Sequence, residues 1–164
     1  MSSVDTDIAL ALTMNEVLSF DWGTAIIGVL DVDTELYTPY SGRRIVEGVQ
    51  RVTECDGIVV SFNGNLYDLP KMAESLGLAD TGGLRLYGRH DDMLEITSTI
   101  LWPGNKPIIG GGSLEKRFRL FCGDEKLPAS PFPDDPYIES NWRDCYMPAQ
   151  LWRKWKRNEL RRPS

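Results

Sequence analysis

Three aspartates stand at the ends of predicted secondary-structure elements, where they could act together. Asp21 ends an apolar run, Asp68 lies just before the Pro-containing start of a predicted helix, and Asp144 lies in the C-terminal helical region. Clustered carboxylates raise one another's pKa values, and divalent cations offset that repulsion. Oxygen ligands suit Mg²⁺ or Mn²⁺, and paired ions about 4 Å apart can drive in-line phosphoryl displacement. Each aspartate alone is typical of a cap or turn, so the metal-site hypothesis depends on all three.

The stretch 57–70 is the centre of this pattern. Residues 58–62 form a short, β-branched apolar run that is typical of a buried strand. Asn63 and Gly64 end the run, because both residue types tolerate positive φ. Asn63 and Asp68 therefore follow the carboxyl end of a strand, where open α/β sheets place their ligands. A strand, a turn and a capped helix without any chemistry would explain the same residues.

The remaining strands and the first helix follow from apolar periodicity. Runs at 16–21, 25–30 and 35–40 with short connections predict an antiparallel three-strand meander. Helical spacing of apolar residues over 41–53 predicts a helix. Because that helix intervenes, we expect the strand at 58–62 to pair parallel with an earlier strand through a right-handed crossover.

Further helices and irregular segments complete the predicted order. Helices are expected over 69–76 and 92–101. A third helix is expected between Ser113, which caps it, and Gly123, which ends it. The last helix is expected from about Asn141 or Pro148 to Leu160. Segments 78–91, 103–112 and 124–137 are expected to be loops. The pattern predicts an α/β fold on a mixed sheet.

Composition indicates one domain over residues 15–164 after an N-terminal tail, 1–14. The chain has 164 residues, 41% of them hydrophobic, which is enough for one core. No apolar run approaches the ~20 residues that span a bilayer, and no signal-peptide pattern is present, so no membrane association is expected. Three widely spaced cysteines and one histidine argue against a zinc site or disulfide framework and favour a cytoplasmic setting.

The charge is unevenly distributed. A net charge of −6 argues against nucleic-acid binding by bulk charge, but the C-terminal segment is basic. Its basic residues are Arg153, Lys154, Lys156, Arg157, Arg161 and Arg162. Trp152 and Trp155 lie among them, and such a mixture can stack bases and track phosphates. A solvated helix face with a buried apolar stripe gives the same pattern.

Over most of residues 15–160, these motifs resemble the DEDD-type 3′–5′ exonucleases of the ribonuclease H-like superfamily. Phe20-Asp21-Trp22-Gly23-Thr24 is similar to the first motif, an apolar strand ending in Asp-x-Glu-Thr. Residues 62–70 resemble the second motif, Asn-Gly-x-x-Phe-Asp-x-Pro, and give the most specific match. Residues 90–94 and 113–115 resemble connecting segments of the family. Asn141-Trp142-Arg143-Asp144, followed by Leu151-Trp152, resembles the third motif.

The resemblance implies a ribonuclease H-like α/β fold: an antiparallel three-strand meander plus parallel strands, flanked by helices. It implies a metal-dependent exonuclease that hydrolyses phosphodiester bonds at nucleic-acid 3′ ends, including those of single strands, through a metal-bound hydroxide. Asp21, Asp68 and Asp144 would be the catalytic residues and the ligands of two Mg²⁺ or Mn²⁺ ions.

The resemblance also suggests roles for four further residues. We expect Asn63, Tyr67 and Asp92 to contact the substrate, and Glu139 is a candidate general base.

The chain departs from the family pattern at two motifs. Gly23 stands where the first motif has a Glu, and Ser140 and Glu139 stand where the third motif has a Tyr or a His. These departures motivate an alternative hypothesis, a catalytically degenerate exonuclease fold that binds nucleic acid or a protein partner.

Three other features leave alternatives open. Asp21-Trp22-Gly23-Thr24 followed by residues 27–29 also resembles the opening of Holliday-junction-resolvase-like and actin-like proteins, which share the ribonuclease H-like topology. Asp31 and Asp33 could form another metal pair, although a hairpin turn accounts for them better. Pro148 predicts that the last helix is kinked or begins late.

Overall fold

The computed structural model describes residues 15–101, 112–123 and 127–161, and its centre is a five-stranded mixed sheet. The strands are β1 (Val17–Gly23), β2 (Ile26–Asp31), β3 (Tyr37–Ser41), β4 (Ile58–Ser61) and β5 (His90–Asp92). Their order is β3-β2-β1-β4-β5. The first three strands are antiparallel, whereas β4 pairs parallel with β1 and β5 pairs parallel with β4. The predicted meander and the parallel crossover are both confirmed.

In the described parts of the chain, five α-helices flank the sheet. They are α1 (Ile45–Thr53), α2 (Leu69–Ser75), α3 (Met93–Leu101), α4 (Leu114–Cys122) and α5 (Pro136–Lys156). Helix α1 packs on β2 and β3, and α5 crosses β1, β2 and β4. Two apolar clusters result, one with α1 and α2 and the other with α3, α4 and α5. Within the described ranges, none of the helices is long and apolar enough to cross a membrane.

The alternation of β1 determines which helix each of its side chains meets. Leu18 and Phe20 are buried in the cluster with α1 and α2. Side chains two residues apart share a face, so Ser19 and Asp21 point the other way, towards α5. The Ser19 hydroxyl donates a hydrogen bond to the Cys145 carbonyl of α5 at 2.6 Å. Asp21 is therefore directed at the helix that carries Asp144.

Helix α5 begins earlier than the sequence predicts. Its first residue is Pro136, because Asp135 caps the helix by accepting the Tyr137 and Ile138 backbone N–H groups at 3.1 Å. Pro148 lies inside the helix and offers no N–H to the preceding turn. The Ser19 hydroxyl bonds the adjacent Cys145 carbonyl, and the helix continues past the proline to Lys156.

Strand β5 is the element that the sequence analysis missed. We predicted a loop over 78–91 and a helix from Asp92, whereas His90–Asp92 is a strand and α3 begins at Met93. Three polar residues carry no apolar alternation, and only backbone pairing with β4 defines the strand. The tail 1–14 and nearly all of the predicted 103–112 loop lie outside the described residues.

Arg117 joins α4 to α3 inside the protein. Its side chain is 2% exposed, and its guanidinium donates to the Leu94 carbonyl at 2.9 Å and to the Thr97 and Ser98 hydroxyls at 2.8 and 2.7 Å. Because α3 directly follows β5, this contact also anchors the edge of the sheet.

We predict that Arg117→Ala lowers the free energy of unfolding by about 2 kcal/mol or more, since it leaves buried acceptors unpaired. Arg119→Ala is the matched control on the same helix, because the side-chain pair that Arg119 forms among the described residues, with Glu115, is exposed. It should change stability by less than about 0.5 kcal/mol. Urea unfolding followed by circular dichroism measures both, and equal losses would contradict the anchoring role.

Candidate functional site

Asp21 lies near the carboxyl end of β1, opposite Gly28 of β2. Asn141 of α5 reaches it: the Asn141 side-chain amide donates to the Asp21 carbonyl and to the Asp21 carboxylate Oδ2, both at 3.0 Å. Sequence analysis included Asn141 in the third-motif match but assigned it no role at the site. Its position three residues before Asp144 places both residues on one helix face, and that spacing was the available signal.

Asp68 lies beside the same end of β1. The chain leaves β4, turns at Asn63 with φ 65°, and forms a single π-helical turn over Gly64–Asp68. The Asp68 side chain is 1% exposed, and its Oδ2 accepts the Trp22 backbone N–H at 3.4 Å. The predicted arrangement of strand, turn and helix is present, and it brings Asp68 next to the residue that follows Asp21.

The three aspartates form one electrostatic cluster. Burial raises the pKa of Asp21 well above its usual value; the charges of Asp68 and Asp144 raise it further, and the Asn141 hydrogen bond opposes the shift. Burial raises the pKa of Asp68 to about 7, with the Trp22 N–H opposing this and Asp92 and Asp144 adding to it. Burial raises the pKa of Asp144 to about 6. Such a cluster is the donor set that a divalent cation neutralises.

The spacing of the carboxylates bears on how cations could bind. Ligand atoms around a single Mg²⁺ lie at most about 4.2 Å apart, twice the usual metal–oxygen distance. The ligand atoms of Asp21, Asp68 and Asp144 do not all lie within 4.8 Å of one another. As placed, the three carboxylates therefore do not surround a single ion.

Asp92 is buried next to this cluster and holds the loop after β4. Its Oδ1 accepts the Asn63 and Leu94 backbone N–H groups at 2.7 and 3.0 Å, and its Oδ2 accepts the Asn65 N–H at 3.1 Å. These bonds fix the loop that leads to Asp68. A contact between Asp92 and substrate stays a prediction, and the bonds assign the carboxylate a supporting role.

Asn63 and Tyr67 flank the same loop. The Asn63 carboxamide oxygen is buried and has no hydrogen-bond partner among the described residues. The Tyr67 side chain is 50% exposed and its neighbour Leu66 is 62% exposed. An accessible ring beside buried carboxylates could contact a nucleotide, so the substrate roles of these residues stay open predictions.

Glu139 shares a cleft with Asp144. The cleft has a volume of about 420 Å³, lies between α4 and α5, and is also lined by Ser140 and Met147. The Glu139 carboxylate pairs with Arg143 at 2.9 Å. A general base at this position would therefore work beside a guanidinium, and the role of Glu139 stays a prediction.

Gly23 ends β1 with little free space. A Cβ atom there would lie 2.8 Å from the Ile26 side chain and 3.4 Å from the Asn141 amide nitrogen. A neutral carboxamide, rather than a fourth carboxylate, is thus the polar group nearest to this position among the described contacts.

The basic C-terminal segment is partly used in folding. Arg153 donates to the Val32 carbonyl and pairs with Glu35 at 3.1 Å. The Trp152 indole donates to Asp91 at 2.8 Å, and Lys156 lies over the Trp155 ring at 4.5 Å.

The Asp31 carboxylate accepts two N–H groups of its own turn, as the hairpin interpretation predicts.

A second acidic group lies at the opposite, amino-terminal edge of the sheet. Ligand atoms of Glu16, Cys55 and Asp56 lie within 4.8 Å of one another, and they are the one such trio among the described residues. Glu16 is already paired with both terminal nitrogens of Arg51, which lowers the pKa of Glu16. This guanidinium takes the place that a cation would fill.

No protein-family model, no curated protein and no solved structure matches the chain. The functional conclusion therefore depends on the motifs and on the geometry of the carboxylates.

The raised pKa values predict how stability changes with pH. A carboxyl group whose pKa is higher in the folded than in the unfolded protein favours folding at low pH, and this contribution is lost as the pH rises from about 4 to about 7. Without divalent cations, the melting temperature should fall between pH 5 and pH 8.

Asp68→Asn should raise the melting temperature at pH 8, by roughly 2–4 °C for each kcal/mol of repulsion and burial cost removed. Asp33→Asn, at an exposed turn, is the matched control and should leave the pH profile unchanged. Differential scanning calorimetry in EDTA measures both. A lower melting temperature for Asp68→Asn at pH 8 would contradict the electrostatic account.

Proposed function

We propose that this protein is a metal-dependent 3′–5′ exonuclease with a ribonuclease H-like fold, related to the DEDD-type exonucleases. The observation that carries the proposal is the convergence of Asp21, Asp68 and Asp144. They come from a strand, a loop and a helix far apart in sequence, and their charges interact in one buried cluster. A fold that needed only stability would not favour three buried, mutually repelling carboxylates.

The architecture supports the same proposal. The antiparallel meander continues into parallel strands, with β1 at the centre and helices on both faces. Asp21 lies near the carboxyl end of β1, Asp68 lies in the turn that follows β4, and α5 crosses that edge with Asp144. Three buried thiols, Cys55, Cys122 and Cys145, agree with the proposed cytoplasmic setting.

Different residues of the candidate site would have different roles in phosphodiester hydrolysis. Asp21, Asp68 and Asp144 would hold Mg²⁺ or Mn²⁺, as two ions shared among the three carboxylates. When bound, such ions polarise the phosphoryl group and activate water. The Trp22 N–H orients Asp68, and Tyr67 offers an exposed ring to the terminal nucleotide. Glu139 would accept a proton from water, and Arg143, which pairs with it at 2.9 Å, would contact phosphate.

We predict that the purified protein with Mn²⁺ shortens a 5′-labelled single-stranded oligonucleotide to a ladder, and that a phosphorothioate linkage at the 3′ end blocks this. Asp68→Asn should reduce the rate by at least about 100-fold, because it removes a charged ligand of the reacting centre. DNA and RNA substrates are compared in parallel on denaturing gels.

Asp56→Asn is the matched control for this assay. It makes the same substitution in the acidic group at the opposite edge of the sheet and should retain activity. Undiminished cleavage by Asp68→Asn, or equal loss in both variants, would rule out the assigned site.

A second candidate function is binding without turnover. Gly23 offers no carboxylate, and the side chains of Lys156, Arg157 and Arg161 are exposed and could meet phosphates. This candidate predicts oligonucleotide binding that weakens steeply with salt, measured by fluorescence anisotropy between 50 and 200 mM salt. Metal-dependent cleavage under any of these conditions would refute it.

A further inference from the structure

Asn141 connects three strands to helix α5. Its side chain is 3% exposed, and every polar atom of the carboxamide is used. The Nδ2 group donates to the Asp21 carbonyl and carboxylate, and the Oδ1 atom accepts a hydrogen bond from the Tyr37 hydroxyl. A relay therefore runs from Tyr37 on β3 through Asn141 to Asp21 on β1.

The middle strand makes room for this relay. Gly28 of β2 lies opposite Asp21 in the sheet, between β1 and β3. A Cβ atom on Gly28 would overlap Asn141 Oδ1 and would lie 2.7 Å from the Tyr37 ring. The bare backbone at position 28 therefore lets the carboxamide lie directly over β2.

The polarity of the carboxamide is determined by its partners. Asp21 presents two acceptors, a carbonyl and a carboxylate oxygen, so the amide nitrogen must face it. The carbonyl end then needs a donor, and the Tyr37 hydroxyl supplies one. Because the repulsion from Asp68 and Asp144 favours rotation of the Asp21 carboxylate away from them, a fixed donor on Oδ2 opposes that rotation.

We propose that Asn141 is the positioning residue of the metal centre and that Tyr37 holds it in place. The relay keeps Asp21 Oδ2 in a hydrogen bond and leaves Oδ1 to bind a cation. A neutral amide does this without adding a fourth charge to the cluster. Outer partners of metal ligands typically contribute 10–100-fold in metal affinity. This inference rests on the proposed function, because it requires that the aspartates bind a divalent cation.

The test is a calorimetric titration of the cation-free protein with Mn²⁺ at pH 7.5. Tyr37→Phe removes a single oxygen and should weaken Mn²⁺ binding about 3–10-fold, as expected for one hydrogen bond. Asn141→Ala should weaken it about 10–100-fold. Circular dichroism melts establish that each variant is folded, and Tyr37→Phe keeps the test decisive if Asn141→Ala unfolds.

Tyr40→Phe is the matched control. Tyr40 lies on the same strand three residues on, so it faces the opposite side of the sheet and packs with the α1 cluster. Its Mn²⁺ affinity should equal that of the wild type.

The outcomes separate the two proposals. Weaker binding in Tyr37→Phe but not in Tyr40→Phe supports the relay. Wild-type binding that is lost in Asp68→Asn but unchanged in Tyr37→Phe and Asn141→Ala overturns the positioning role and leaves the proposed function standing. Absence of Mn²⁺ binding by the wild type overturns both.

Discussion

The repulsion between three buried carboxylates is the constraint on which the candidate site depends. Burial and mutual charge raise the pKa values of Asp21 and Asp68, and burial raises that of Asp144, so each is costly to ionise where the fold puts it. The protein keeps them together with neutral donors: the Trp22 N–H on Asp68 and the Asn141 amide on Asp21. Neutral donors orient the carboxylates without adding another charge to the cluster, as the proposed cation site requires.

The rest of the fold holds those hydrogen-bond donors in position. On one face of β1, Leu18 and Phe20 pack towards α1 and α2. On the other face, Ser19 and Asp21 point towards α5. The same strand therefore contributes to the apolar core and to the carboxylate cluster. The Ser19 hydroxyl bonds the α5 turn near Pro148, while Asp92 fixes the loop before Asp68 through three backbone N–H groups. These three bonds satisfy the buried Asp92 carboxylate and hold the loop at the same time.

Sequence reasoning was most successful where the pattern is local. The apolar run at 58–62 followed by Asn63 and Gly64 predicts both the strand and the turn that place Asp68. It was least successful where the contact is long-range and polar. The bonds that Asn141 makes with Tyr37 and Asp21 cross more than a hundred residues, and no periodicity encodes them. Strand β5 was missed because three polar residues are defined only by their pairing with β4.

Anomalous diffraction from crystals soaked in Mn²⁺ tests the central claim most directly. The account predicts peaks about 2 Å from carboxylate oxygens of Asp21, Asp68 and Asp144. Two peaks about 4 Å apart would match a two-ion site. Peaks found only beside Glu16 and Asp56, at the other edge of the sheet, or no peak at any carboxylate, would contradict it.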